Sequence, residues 1–200
     1  MSNTLDLLDY RRQVSNQYAA VRAGGAGEAT WQQWRDDRDR IFATHPQSPI
    51  EDRTDFTVLS YFAYDPSWRL TGAFAPAEDE DVAIPHSRAG ATIFRHVGEV
   101  NFEVDGQDKQ LDVLWLNAYG GGLFIPFRDR TNGVTTYGGG RYLIDTVKGA
   151  DLGHVGDELI LDFNYAYHPS CVHSPRWSCP LAPPGNTLDV EVTAGERGSE

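Results

Sequence analysis

The sequence predicts a mainly β fold, α+β by count, in which an antiparallel meander closes into a barrel or a two-layer sandwich behind two N-terminal helices. Three observations carry this. Apolar residues in the first 45 positions recur at helical spacing. From Phe56 onward the spacing becomes two and the residues become β-branched or aromatic. Turn signals then recur about every eight to twelve residues.

In the first helix Leu5, Leu8, Val14, Tyr18 and Val21 share a face, and Gly24-Gly25 ends it. The second starts at Thr30, an N-cap residue, and carries Trp31, Trp34, Arg38, Ile41 and Phe42 along one face. It stops at Thr44-His45-Pro46, because proline disfavours helix in the residue before it. Pro46 to Asp55 is then a loop, and strands follow at Phe56 to Tyr64 and Arg69 to Phe74. Ala75 to Ala91, with the acidic run Glu78 to Asp81, reads as an exposed, mobile loop.

The clearest hairpin comes next: Val100, Phe102 and Val104 alternate with polar residues, and Asp105-Gly106 turns the chain towards Leu111, Val113 and Trp115. A second hairpin is expected from Leu123-Phe124-Ile125 through Asn132-Gly133 to Val134 to Tyr137. Further strands are expected at Tyr142 to Asp145, Leu159 to Phe163 and Leu188 to Val192. Closure hides the edges of such a meander. Residues 1–45 read as a helical segment packed on the sheet and 46–200 as a β-rich core, one domain together.

Composition narrows the function. No apolar run approaches the roughly 18 to 20 residues of a membrane span. The N-terminus carries Asp6, Asp9, Arg11 and Arg12 among its apolar residues, unlike a secretory signal, so the expected setting is the cytoplasm. The net charge of −12 repels phosphate backbones and anionic lipid, so neither nucleic acid nor membrane is expected as a partner. Lys109 and Lys148 are the only lysines among 17 cations. Excess acid with arginine in place of lysine fits a salt-adapted host, and a high-GC genome produces the same bias.

His168, Cys171, His173 and Cys179 form the densest group of ligand-type residues, and thiolate with imidazole suits zinc. The same residues support two other readings. Cys171 or Cys179 is a nucleophile or redox thiol, with His168 or His173 in proton transfer and Arg176 lowering a thiol pKa. Alternatively the cysteines are packed and inert, reduced in a cytoplasm rather than bridged. Tyr137-Gly138-Gly139-Gly140-Arg141-Tyr142 places backbone N–H groups beside a guanidinium, which suits an anion, or is a glycine bend that curls the sheet. Phe127-Arg128-Asp129 holds either a ligand or an internal ion pair. Tyr61, Tyr64, Asp65, Trp68 and Arg69 make either a pocket wall or a packed corner. His86 and His96 read as surface residues without partners.

Six segments together carry a family resemblance: His45-Pro46-Gln47-Ser48-Pro49, Tyr61-Phe62-Ala63-Tyr64-Asp65, Phe127-Arg128-Asp129, Tyr137 to Tyr142, Asp162-Phe163-Asn164 and Ser174 to Leu181. From Trp34 to the C-terminus the chain resembles the uncharacterised DUF1684 family of bacteria and archaea. The resemblance implies cysteine at the positions of Cys171 and Cys179, and often Asn and Tyr at those of His168 and His173. That weighs against a four-ligand metal site and leaves the thiol pair. Arg128, Asp129, Tyr137, Arg141, Asp162, Asn164, Tyr167, Arg176 and Asn186 match family-motif positions. The resulting expectation is that Arg128, Tyr137, Arg141, Asn164, Tyr167, Arg176 and both cysteines converge on one pocket at one end of the sheet. Such a pocket suits a small anionic or polar ligand. Two alternatives stand beside it: a thiol-dependent enzyme, and an interaction protein without a ligand.

Overall fold

The computed structural model describes residues 3–198. Two helices, α1 (Thr4–Gly24) and α2 (Glu28–Thr44), precede seven strands: β1 (Arg69–Pro85), β2 (Ala91–Val104), β3 (Gln107–Leu116), β4 (Leu123–Phe127), β5 (Arg141–Asp145), β6 (His154–Val155) and β7 (Glu158–Asp162). They form one antiparallel sheet in the order β5-β4-β3-β2-β1-β7-β6. The expected barrel or two-layer sandwich is not formed: β5 and β6 remain as edges, and helices and loops cover the sheet instead of a second layer of strands. No helix among the described residues is long and apolar enough to cross a membrane.

Each face of the sheet carries a buried apolar cluster, and a bulge makes this compatible with period-two sequence. Along β2 and β3 the pairing passes from His96↔Leu114 to Gly98↔Val113, one residue out of step. Phe94 therefore faces α1 and α2 together with Leu114 and Phe124. Beyond the bulge Val100, Phe102 and Val104 face the opposite way, where they pack with Leu111 and Val113 under Phe163, Leu188 and Val192. A regular strand would have left one of these two sets in water.

α2 buries Trp31, Trp34, Arg38, Ile41 and Phe42, the face its periodicity predicts. It begins a half-turn before Thr30, with Gly27 at the cap and Glu28 in the first turn, where the helix dipole favours an acid. α1 buries only Gln17, Tyr18 and Val21, while Leu5 and Leu8 on the predicted stripe are 67% and 52% exposed. The hairpin at Asp105-Gly106 forms as expected, both residues having positive φ, 51° and 75°, as a type I′ turn requires.

Four strand expectations are corrected. Ala75 to Ala91 is mostly strand, because β1 runs through the acidic stretch to Pro85 while Arg95 on β2 approaches Asp79 and Asp81 at 3.2 and 3.6 Å. β4 pairs with β5 rather than with Val134 to Tyr137. The Thr131 carbonyl accepts N–H bonds from Val134, Thr135 and Thr136, which coils that segment. Phe56 to Tyr64 is not a strand: its backbone bonds reach the Asp39 carboxylate and the C-terminal segment. Leu188 to Val192 lies across the sheet as a covering segment, with Leu188 N–H on the Arg128 carbonyl and Arg130 N–H on the Val190 carbonyl.

Gly98 tests the importance of the bulge. At φ 151° an added Cβ would meet the Ala75 carbonyl oxygen and sit 2.9 Å from Pro76 Cα. Gly98→Ala is expected to lower unfolding free energy by about 2 to 3 kcal/mol in urea titration. An unchanged midpoint and slope would remove the bulge from the list of fold determinants.

Candidate functional site

After β7 the chain turns at Phe163–Tyr165, runs beside β5 through the Tyr142↔Tyr167 bridge, and makes a single helical turn at Ser170–Val172. It returns along the sheet to Glu196. Buried charge anchors this route. The fully buried Arg141 pairs with Asp129 at 2.6 Å and donates to the carbonyls of Val192 at 2.8 Å, Glu196 at 3.3 Å and Ala194. Asn164, also fully buried, exchanges bonds with the Asp65 backbone at 3.0 and 2.8 Å. Asn186 binds the Pro126 and Asp112 carbonyls. These three residues staple segments together from within.

A second network lies under α2. Arg38 Nη2 donates to Glu196 Oε2 at 2.6 Å, and the His168 backbone N–H donates to the same oxygen at 2.9 Å. Glu196 Oε1 faces His168 Nδ1 at 3.6 Å and His173 Nε2 at 3.4 Å. His168 Nε2 accepts the Tyr137 N–H, so a neutral His168 ring carries its proton on Nδ1, towards the carboxylate. Burial works against the charge on Glu196, but Arg38 and the two histidines outweigh it and hold the carboxyl well below its ordinary range.

Beside this network is a small chamber of about 40 Å³ lined by Gln17, Tyr18, Arg38, Lys148, Tyr167 and His168, among others. It has room for a few water-sized groups. Tyr167 donates its hydroxyl to Asp145 at 3.1 Å, and Lys148 pairs with the same carboxylate at 2.8 Å. Three lining residues carry buried polar atoms with no partner in the protein: Gln17 Nε2, the Tyr18 hydroxyl and Arg38 Nε. Towards solvent, a wider cavity of about 270 Å³ shares Tyr10, Val14, Lys148 and Ser170 with the chamber and adds Leu7, Arg11, Val147 and Trp177. Burial raises the pKa of Tyr10, Tyr18 and Tyr167, so their hydroxyls stay protonated and able to donate.

The thiols gather elsewhere. Cys171, on the Ser170–Val172 turn, and Cys179 are both free and half-buried. The Cys171 thiol donates to the Tyr137 hydroxyl at 4.0 Å, and Cys179 and Ser87 lie close enough to act on the same sulfur; once it is a thiolate, all three groups can donate to it. The Cys179 bond contributes most to lowering the Cys171 pKa to about 6, against the effect of burial. The same bond, with burial, raises that of Cys179.

The expected pocket residues therefore occupy separate places. Tyr137, Cys171 and Cys179 come together; Tyr167 borders the chamber; Arg141 and Asn164 are internal staples. Arg176 is exposed, donates to the Ser48 carbonyl at 2.7 Å and lies over the Trp177 ring. Arg128 flanks the Asn186 segment through its backbone. The ligand-type residues split likewise, His168 and His173 towards Glu196 and the cysteines towards each other. Among the described residues, the group of three whose ligand atoms lie within 4.8 Å of one another is His96, Glu99 and Asp112. His86 and His96 are half-buried rather than unpartnered: His86 meets the Thr92 hydroxyl at 2.8 Å and His96 faces Asp112 at 3.7 Å. Gly138 to Gly140 closes a turn, Gly140 N–H bonding the Tyr137 carbonyl before β5. Sequence reasoning passed over Gln17, Lys148 and Ser87. An arginine inside the apolar stripe of α2 was the one visible sign of the chamber.

Comparison with known proteins gives a consistent picture. Residues 54–197 match the family described as protein of unknown function, DUF1684. An uncharacterized protein of Haloarcula marismortui, solved in solution by NMR, is 41% identical, with a TM-score of 0.62 over 85% of this chain and 93% of that one. No curated protein matches.

Glu196→Gln leaves Arg38 buried without its counter-charge and is expected to cost about 3 to 5 kcal/mol in chemical denaturation. In the parent the carboxylate's contribution is fully present above the unfolded value, about pH 4.3, and is lost as pH falls through the lower folded value. Acid unfolding of Glu196→Gln should lack this component; an identical acid profile would show that the pair does not govern acid stability.

Proposed function

The chain belongs to the DUF1684 family of proteins of unknown function, and we propose that it is a binding domain for small carboxylates with an apolar body, held in the chamber and mouth beside α1. One observation carries the reading: three residues around a single small chamber each bury a hydrogen-bond donor that no protein atom accepts. Leaving such groups unpaired costs about 1 to 3 kcal/mol each, so they favour an acceptor from outside the protein. A carboxylate supplies two oxygens with several lone pairs. Arg38 and Lys148 favour its charge, each already balanced by Glu196 or Asp145, so the net field is mild and the donors set the specificity.

The mouth supports the second half of the proposal. Leu7, Val14, Val147 and Trp177 make a largely apolar surround, and Arg11, tied to the Val147 carbonyl at 3.0 Å, stands at the outside. A cavity of about 270 Å³ accommodates an aliphatic or aromatic body of modest size. This is an Arg- and Tyr-lined pocket for a small anion, built from Tyr10, Tyr18, Arg38 and Tyr167.

The test is calorimetric titration of straight-chain carboxylates of two to ten carbons, with the alcohol of each length as control. Carboxylates are expected to bind and alcohols to bind much more weakly, each methylene that enters the mouth tightening binding about fourfold. Tyr18→Phe, which removes one donor and little volume, should weaken the best carboxylate about tenfold while folding normally. Equal binding of alcohols and acids, no binding at any length, or full affinity in Tyr18→Phe would each overturn the proposal.

A further inference from the structure

The thiol pair takes no part in the chamber and its surroundings are unlike those of packed, inert cysteines. We propose that Cys171 and Cys179 form a hydroperoxide-reactive dithiol, in which Cys171 is the attacking sulfur and Cys179 the resolving one.

The geometry comes first. A sulfur in an apolar core meets carbon; the Cys171 thiol instead meets the Tyr137 hydroxyl at 4.0 Å, with the protic groups of Cys179 and Ser87 beside it. Both cysteines remain partly exposed, so a molecule as small as hydrogen peroxide reaches them. Their backbones are held independently. Ser87 N–H donates to the Cys179 carbonyl at 2.8 Å, Cys179 N–H donates to Ser87 Oγ at 3.2 Å, and Leu181 N–H donates to the Pro85 carbonyl at 2.9 Å, fixing this stretch to the end of β1. Cys171 sits on its own turn, closed by Val172 N–H on Pro169 and His173 N–H on Ser170. The two sulfurs thus meet because two separately anchored segments bring them together.

The charge on the sulfur follows from the same contacts. The groups facing it are Cys179, Ser87 and Tyr137; Arg128 acts on Tyr137, and Lys148 acts on Cys179. Hydrogen bonds to the sulfur favour the thiolate of Cys171, while Cys179, whose proton makes one of those bonds, stays a thiol. That division assigns the roles.

The chemistry balances with a hydroperoxide as the two-electron oxidant. The Cys171 thiolate attacks the terminal oxygen; an S–O bond forms, the O–O bond breaks, and the departing alkoxide or hydroxide takes a proton to leave as alcohol or water. Cys171 is now a sulfenic acid. The Cys179 sulfur attacks it, the S–S bond forms, the S–O bond breaks, and the Cys179 proton leaves with the hydroxyl as water. A second thiol-bearing reductant, outside the protein, is required to return the pair to its starting state.

The full-length reduced protein, treated with stoichiometric hydrogen peroxide at pH 7 and quenched, is read by intact mass. A loss of about 2 Da within the monomer is expected. Cys179→Ser should halt at the sulfenic acid and be labelled by dimedone; Cys171→Ser should give neither product. Iodoacetamide labelling of Cys171 should rise with pH around a midpoint of about 6. The proposal is overturned if the folded parent keeps both thiols while an unfolded control oxidises, or if Cys171→Ser is labelled by dimedone as readily as Cys179→Ser. The parent measurement needs no variant, so a misfolded substitution does not obscure the result.

Discussion

The buried pair of Arg38 and Glu196 is the interaction on which the rest of the site depends. It joins the apolar face of α2 to the last residues of the chain, and Glu196 in turn receives the His168 backbone and faces both His168 and His173. Isolated burial of either charge would be costly, so the two segments must meet. Once they do, the stretch from Tyr167 to His173 is held between helices and sheet. Tyr167, His168 and Ser170 of that stretch line the chamber, while Cys171 meets Tyr137.

Arg141 repeats the device further along the C-terminal segment. Its guanidinium takes Asp129 and three carbonyls from Val192, Ala194 and Glu196, so the segment is pinned by one arginine from β5 and another from α2. A covering segment without regular strand pairing needs its backbone groups satisfied in some other way. Arginine, with five donors in a rigid fork, supplies several at once. Arg141, expected from the sequence to hold a ligand, therefore serves the fold, as does Arg38 from the buried face of α2, and each leaves its Nε without a partner in the protein.

The two candidate chemistries share a wall. Ser170 borders both the chamber and its mouth, and Cys171 follows it on the same turn; Trp177 borders the mouth, and Cys179 lies two residues beyond. Ligand recognition and thiol reactivity are thus built from one short stretch of chain. The sheet beneath makes this arrangement possible by carrying a buried apolar cluster on each face, the β2 bulge turning one strand's apolar residues first towards the helices and then towards the covering segment.

The sequence by itself determined those features whose cause is local. The face of α2, its stop before Pro46, the Asp105-Gly106 turn and the strands around it all follow from periodicity, proline geometry and the positive φ of a tight turn. So did the family, through motifs spread from His45 to Leu181. Tertiary structure decided what depends on partners far apart in the chain. The acidic run of Glu78 to Asp81 became strand because Arg95 lies opposite, and Phe56 to Tyr64 did not because its backbone partners are a helix carboxylate and the C-terminal segment. Gln17 and Tyr18 became unpaired donors only where Arg38, from the next helix, closes the same chamber. Cys171 became a candidate thiolate only where Ser87 and Tyr137 reach its sulfur. Residue type announces what a side chain can do; which groups stand within hydrogen-bond reach of it is set by the fold.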